Sequence, residues 1–256
     1  MLDLTGDILN WLAAGVFFPL LFLPLAHLLA PKRPLLAWIV TVSGIIIAGL
    51  LFARLTPILR LAPSSAQLAW FGGLSVISAL MVAGAGAGKI MTALANAFET
   101  INRRAGRTVM WLLLAMALIQ FGVVILRYVF GINFIFMQES ITYMHGAVFL
   151  LAGGYALLTD DHVRVDIFYR EASPRRKALI DLLGTYLLLF PVCLLLIWTV
   201  SPYVANSWAV GEGSNEASGI AALFILKSFI PAFAVLMAMA GFTITARASA
   251  LLRGPR

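Results

Sequence analysis

The stretch NFIFMQESITYMHGAVFL, residues 133–150, sets Gln138, Glu139, Thr142, Tyr143, His145 and Gly146 into an otherwise apolar run. At 100° per residue these six fall within about half a turn of a helical wheel, so a helix here carries one polar stripe. Ionisable groups in an apolar helix are costly, and they are candidates for function by default. A carboxylate at Glu139 could bind a coupling ion or a proton, or it could pair with Arg127 across the short preceding turn and lock two helices together. His145 could hydrogen-bond between helices or ligate a metal or haem. The other histidines, His27 and His162, fall at a different depth, so no second histidine matches it. Lys227, in FILKSFIPAF, stands about two turns into the last apolar run. Its stem could snorkel to the surface, or its ammonium could pair with a carboxylate of a neighbouring helix or subunit.

Other residues offer less chemistry. In DDHVRVDIFYREASPRRK, residues 160–177, His162, Arg164 and Asp166 alternate with Val163, Val165 and Ile167. Such a stretch suits a solvated elbow at the membrane surface or a docking site. Ser173 and Pro174 make a good N-cap and first-turn pair for the next helix. GAGAGK at 84–89 fails the phosphate-loop pattern twice, at Ala83 and at Ile90, and reads better as close helix packing. The small residues Ser75, Ala79, Ala83 and Ala87, with Gly84 and Gly88 beside them, form such a face. Cys193 is the only cysteine, which excludes disulfides within the chain and cysteine metal clusters. No nucleophile, base and orienting group fall together, and neither a catalytic residue nor a cofactor or metal site is expected.

The elements that must position these residues follow from composition. The chain of 256 residues is 62% hydrophobic and 11% charged, against roughly 45–50% and 25% in a soluble domain. Its apolar runs lack the alternation of an outer-membrane barrel, so the expected fold is all-α and polytopic. Runs of about 20 residues, the length that crosses roughly 30 Å of hydrocarbon, lie near 8–30, 35–54, 67–88, 108–130, 134–158, 176–200 and 219–245, which makes about seven spans. The start, MLDLTGDILNWLAAGVFF, has no basic leader region and reads as a retained first helix. The net charge of +7 comes from short cationic clusters between apolar runs, a pattern of membrane topology and not of nucleic-acid binding. With the N-terminus outside and the C-terminus inside, fourteen of the eighteen cations fall in inner stretches. Residues 89–107 place Ile90, Leu94, Phe98 and Ile101 on one face, as an amphipathic helix at the interface would. Residues 201–218, without a cation, suit an outer loop.

RYVFG at 127–131, MQESITYMHGAVFLLAGGYALL at 137–158, HVRVDIFY at 162–169 and ALFILKSFIP at 222–231 resemble, in order and spacing, the small membrane subunit of tripartite ATP-independent periplasmic (TRAP) transporters. The resemblance runs from about residue 95 to 250. It implies a four-helix subunit of the bacterial inner membrane that steadies a separate large polytopic permease subunit. The large subunit holds the substrate and sodium sites, and a periplasmic solute-binding protein delivers an organic acid anion. On that reading Arg127, Gln138, Glu139, Tyr143, His145, His162, Arg164, Asp166 and Lys227 are docking or structural residues. Membrane lipid is the remaining partner. The chain departs from the family pattern in having Leu158 and Asp161 where a basic residue and a glycine often precede HVRVD. The expected division is a three-helix membrane extension at 1–88, an amphipathic linker helix at 89–107 and the four-helix domain at 108–256. A second reading has the same scaffold serving another inner-membrane assembly, respiratory or photosynthetic.

Overall fold

The computed structural model describes residues 17–31, 33–44, 46, 87–162 and 169–254. Arg164 and Asp166 of the elbow lie outside the described residues, as do most of the third apolar segment and the rest of the first two. The small residues Ser75, Ala79, Ala83 and Gly84 lie outside them too.

The described residues form helices and connecting turns, with no strand among them. The elements are α1 (Phe18–Leu21), α2 (Leu23–Leu29), α3 (Pro34–Gly44), α4 (Ala87–Tyr128), α5 (Ile135–Leu151), α6 (Gly153–Thr159), α7 (Pro174–Gly184), a π-helical turn (Thr185–Leu189), α8 (Phe190–Ala209) and α9 (Leu223–Arg253). Among the described residues, four helical stretches are long and apolar enough to cross a membrane: 88–128, 135–159, 174–209 and 223–253.

The expected linker helix and the spanning helix after it are one continuous helix, α4, of 42 residues. At 1.5 Å per residue that is about 63 Å, roughly twice the hydrocarbon thickness, so much of its polar N-terminal half must lie beyond the apolar layer. Its buried face is also shifted from the expected one. Met91, Ala95, Phe98 and Asn102 point inward, while Ile101 is exposed. A helix covers its neighbours with whichever stripe lets backbones approach, and here the small Ala95 and the amide of Asn102 do so. Residues 201–209, expected in a loop, continue α8 despite Pro202. Loss of one amide donor leaves one carbonyl unpaired, which a long helix can tolerate. Ser173 does occupy the N-cap of α7 with Pro174 behind it, but its hydroxyl makes no capping bond.

The chain divides into two units, interleaved in sequence. The first takes residues 1–97, 164–190 and 241–256. Its core is Ala178, Leu182 and Ala248, covered by Leu25, Leu28, Tyr186 and Leu252. Small and hydroxylated residues of α9 allow close packing here: Thr243 donates to the Ala95 carbonyl (3.2 Å), and Ser249 to the Met91 sulfur (3.8 Å). Tyr186 makes the most specific contact. Pro24 breaks the ladder between α1 and α2. The Tyr186 hydroxyl enters the gap, donating to the Leu21 carbonyl (2.6 Å) and accepting from the Leu25 amide (3.3 Å). Those two backbone groups, four residues apart, would otherwise bond each other. Tyr186 itself sits on the π-turn, where the Phe190 amide reaches back to the Thr185 carbonyl. Pro191, the next residue, cannot donate to Leu187 and crowds that carbonyl, a misfit that a wider turn accommodates.

The second unit takes residues 98–163 and 191–240. Glycines of α6 bring helices together here. A Cβ on Gly154 would meet the Asn102 side-chain oxygen and lie 2.8 Å from the Leu236 carbonyl oxygen. One on Gly153 would lie 2.7 Å from the Phe233 ring. Between α4 and α5 the chain turns at Gly131, which adopts φ +67°.

Candidate functional site

One polar cluster of the second unit lies where α5 and α9 begin and the 210–222 loop runs. Glu139 sits one turn into α5. One of its oxygens accepts from the Ser214 hydroxyl and the other from the Ile220 amide at 2.6 Å. Ser214 is held in turn, its hydroxyl accepting from the Glu216 amide (3.1 Å) and its amide donating to the Ile220 carbonyl (3.1 Å). Gly219 lies so close that a Cβ there would stand 2.7 Å from a Glu139 oxygen. The loop is thus folded round one carboxylate.

Lys227 holds the same loop from α9. Its ammonium pairs with Glu212 and lies 4.0 Å above the centre of the Tyr203 ring. The lysine side chain is only 12% exposed and the glutamate 33%. The carboxylate it meets belongs to the 210–222 loop and not to a neighbouring helix. The ammonium beside Glu212 holds that carboxyl below the usual carboxylate range. The Glu212 amide donates to the Ser207 carbonyl at 3.0 Å, and its carbonyl accepts from Phe224 at 3.4 Å. Trp208 closes the cluster, its indole N–H donating to Ser228 (2.8 Å) and its ring meeting Phe224 edge-on at 4.6 Å.

The other expected residues divide. Gln138 donates to Asn133 across the turn into α5 (2.7 Å). The Tyr143 hydroxyl is buried without a hydrogen-bond partner among the described residues. His145 is exposed and stacks on Phe149 at 6.4 Å, off the face that carries Glu139. Arg127 lies in the last turn of α4, where a cation complements the helix dipole. It forms no ion pair with Glu139 among the described residues, since both Glu139 oxygens are engaged by the loop. His162 is exposed after α6. Sequence reading missed Tyr186, Ser214, Gly219 and Asn102. Of these, only the loop residues had a signal, in the glycines and serines of GEGSNEASG.

Chemically, this arrangement fastens a loop. Among the described residues no group of His, Cys, Asp and Glu is placed to hold a metal ion. Residues 116–250, more than half of the chain, match the family described as "Tripartite ATP-independent periplasmic transporters, DctQ component". The chain belongs to this family. No curated protein and no solved structure matches it. The DctQ component is a membrane-embedded transporter subunit, not an enzyme, and membership implies membrane partner subunits and a solute-binding protein. Glu139, Glu212, Lys227 and Tyr186 all lie inside the family match, whereas α1, α2 and α3 precede it.

Proposed function

We propose that this DctQ component is a scaffold that steadies a large permease subunit in a sodium-coupled symporter importing an organic acid anion across a bacterial inner membrane. In this reading the chain crosses about seven times, N-terminus outside and C-terminus inside. Residues 1–88 are an added membrane element, 89–107 the part of α4 that runs beyond the apolar layer and 108–256 the family core. The observation that carries the scaffold role is the engagement of Glu139 and Lys227. These ionisable side chains of the polar cluster are committed to loop residues of their own chain, leaving neither to carry an ion. Exposed apolar residues on the spans, among them Trp111, Leu118, Phe121 and Phe149, supply surface for lipid and for the large subunit. Exposed His145 and His162 are proposed as docking residues.

Reconstitution tests this directly. The purified chain in liposomes with a sodium gradient should give no uptake of any organic anion, and addition of a large permease subunit and a solute-binding protein should restore it. Sodium-dependent uptake by the chain alone would overturn the scaffold role. Co-purification in mild detergent should bring down a large polytopic permease. Recovery of respiratory or photosynthetic subunits in its place would move the same scaffold to another assembly.

A further inference from the structure

Within the first unit, the end of α2 with Pro31 and Arg33, the start of α7 and the end of α9 line a half-open cavity of about 850 Å³. Its lining carries four cations, Arg33, Arg175, Arg176 and Arg253, and no carboxylate among the described residues. Leu28, Leu29, Leu179 and Leu252 add apolar wall. Arg253 also contacts the His27 ring, while Arg33, Arg175 and Arg176 form no ion pair among the described residues. Arg33, Arg175 and Arg176 are exposed, so water softens their mutual repulsion, and an anion among them would relieve it further. Guanidinium groups are well shaped for phosphate, which they bind through paired N–H donors.

The position of the cavity identifies the source of that phosphate. Pro174 starts one helix long enough to span the membrane and Arg253 ends another, so the cavity lies at an end of two candidate spans, where spanning helices leave the hydrocarbon for the headgroups. Basic pockets between membrane helices at this depth are suited to anionic lipid. A soluble anion would have no use for the leucine wall, which continues the apolar flank of α7 through exposed Leu179. We infer that this cavity binds an anionic glycerophospholipid, the arginines holding its phosphate and Leu28 and Leu179 seating the start of an acyl chain. Arg33 and Leu28 precede the family match, while Arg175, Arg176 and Leu179 lie inside it. The bound lipid therefore bridges the added helices and the family core.

Native mass spectrometry of the full chain in detergent, with phosphatidylglycerol, phosphatidylcholine or inorganic phosphate added, tests this. Phosphatidylglycerol should be retained at collision energies that strip phosphatidylcholine. Its apparent affinity should fall about thirtyfold in R175Q/R176Q, the effect of two cations near a membrane surface. It should be unchanged in R104Q/R107Q, which removes the same charge from α4. L179W keeps every arginine but narrows the acyl seat, and it should also weaken retention. It decides the matter if the arginine variant does not fold. Equal losses in both double variants, equal retention of phosphatidylcholine, or displacement of phosphatidylglycerol by inorganic phosphate would each overturn the inference.

Discussion

Single side chains in this protein act mainly by satisfying groups that the apolar surroundings leave without water. Tyr186 is the clearest case, because its hydroxyl serves a backbone carbonyl and a backbone amide that Pro24 has separated. Y186F keeps the ring contacts with Phe190 at 5.2 Å and Phe22 at 6.0 Å, yet it strands both backbone groups. It should cost about 1–3 kcal/mol in reversible unfolding from mixed micelles, the range for leaving buried polar groups unsatisfied. An unchanged stability would show that α1 and α2 close their own ladder. Glu212 makes a pH-dependent contribution. Its carboxyl titrates lower in the folded chain than its ordinary value of 4.5, so the folded state binds fewer protons. The stabilisation is present above the ordinary value and disappears as pH falls through the lowered one. E212Q should therefore melt below the parent at neutral pH, with the difference shrinking below about 4.5. A difference that stays constant into acid would mean that the pair with Lys227 does not govern the loop. Glu139 and Lys227 were legible as suspects because polar residues stand out in an apolar run. Their partners were not, since Ser214 and Glu212 lie in a loop whose path no periodicity encodes.

Among the elements, hydropathy located the apolar centre of each of the four long helical stretches, and physical chemistry outside that centre set the ends. The apolar run at 108–130 finishes close to where α4 ends at Tyr128, because the turn at Gly131 stops the helix sharply. The other end lay about twenty residues from the apolar boundary, at Ala87. A helix whose ladder is intact has no reason to stop where the lipid does. The same applies to α8, which passes Pro202 and reaches Ala209. Close helix packing was partly legible in the glycines of LLAGGYALL, although their partners on α4 and α9 were not. Gly154 carries that packing. A methyl group there would press on the Leu236 carbonyl, a backbone atom that cannot swing aside. G154A should cost about 1–3 kcal/mol by overpacking. N102A, which removes the other obstructing side chain, should recover only part of that loss in the double variant. Full recovery would show that the backbone contact is soft.

At the scale of the whole chain, the two units draw on different parts of the sequence, and this makes the added helices separable by experiment. The first unit contains residues 1–97, and its core of Ala178, Leu182 and Ala248 is covered by Leu25 and Leu28. The second unit contains no residue before Phe98. Deleting residues 1–86 therefore uncovers only the first. Local opening follows the contacts that a segment makes, so amide exchange in detergent should report the loss unit by unit. Amides of 174–190 and 241–253 should exchange at least about tenfold faster, equivalent to about 1.4 kcal/mol of lost local stability. Amides of 135–159 and 191–209 should keep their protection. Uniform acceleration would mean that the units unfold together. Unchanged exchange throughout would mean that α2 contributes nothing to the family core, and the Tyr186 bridge would then lose its structural meaning.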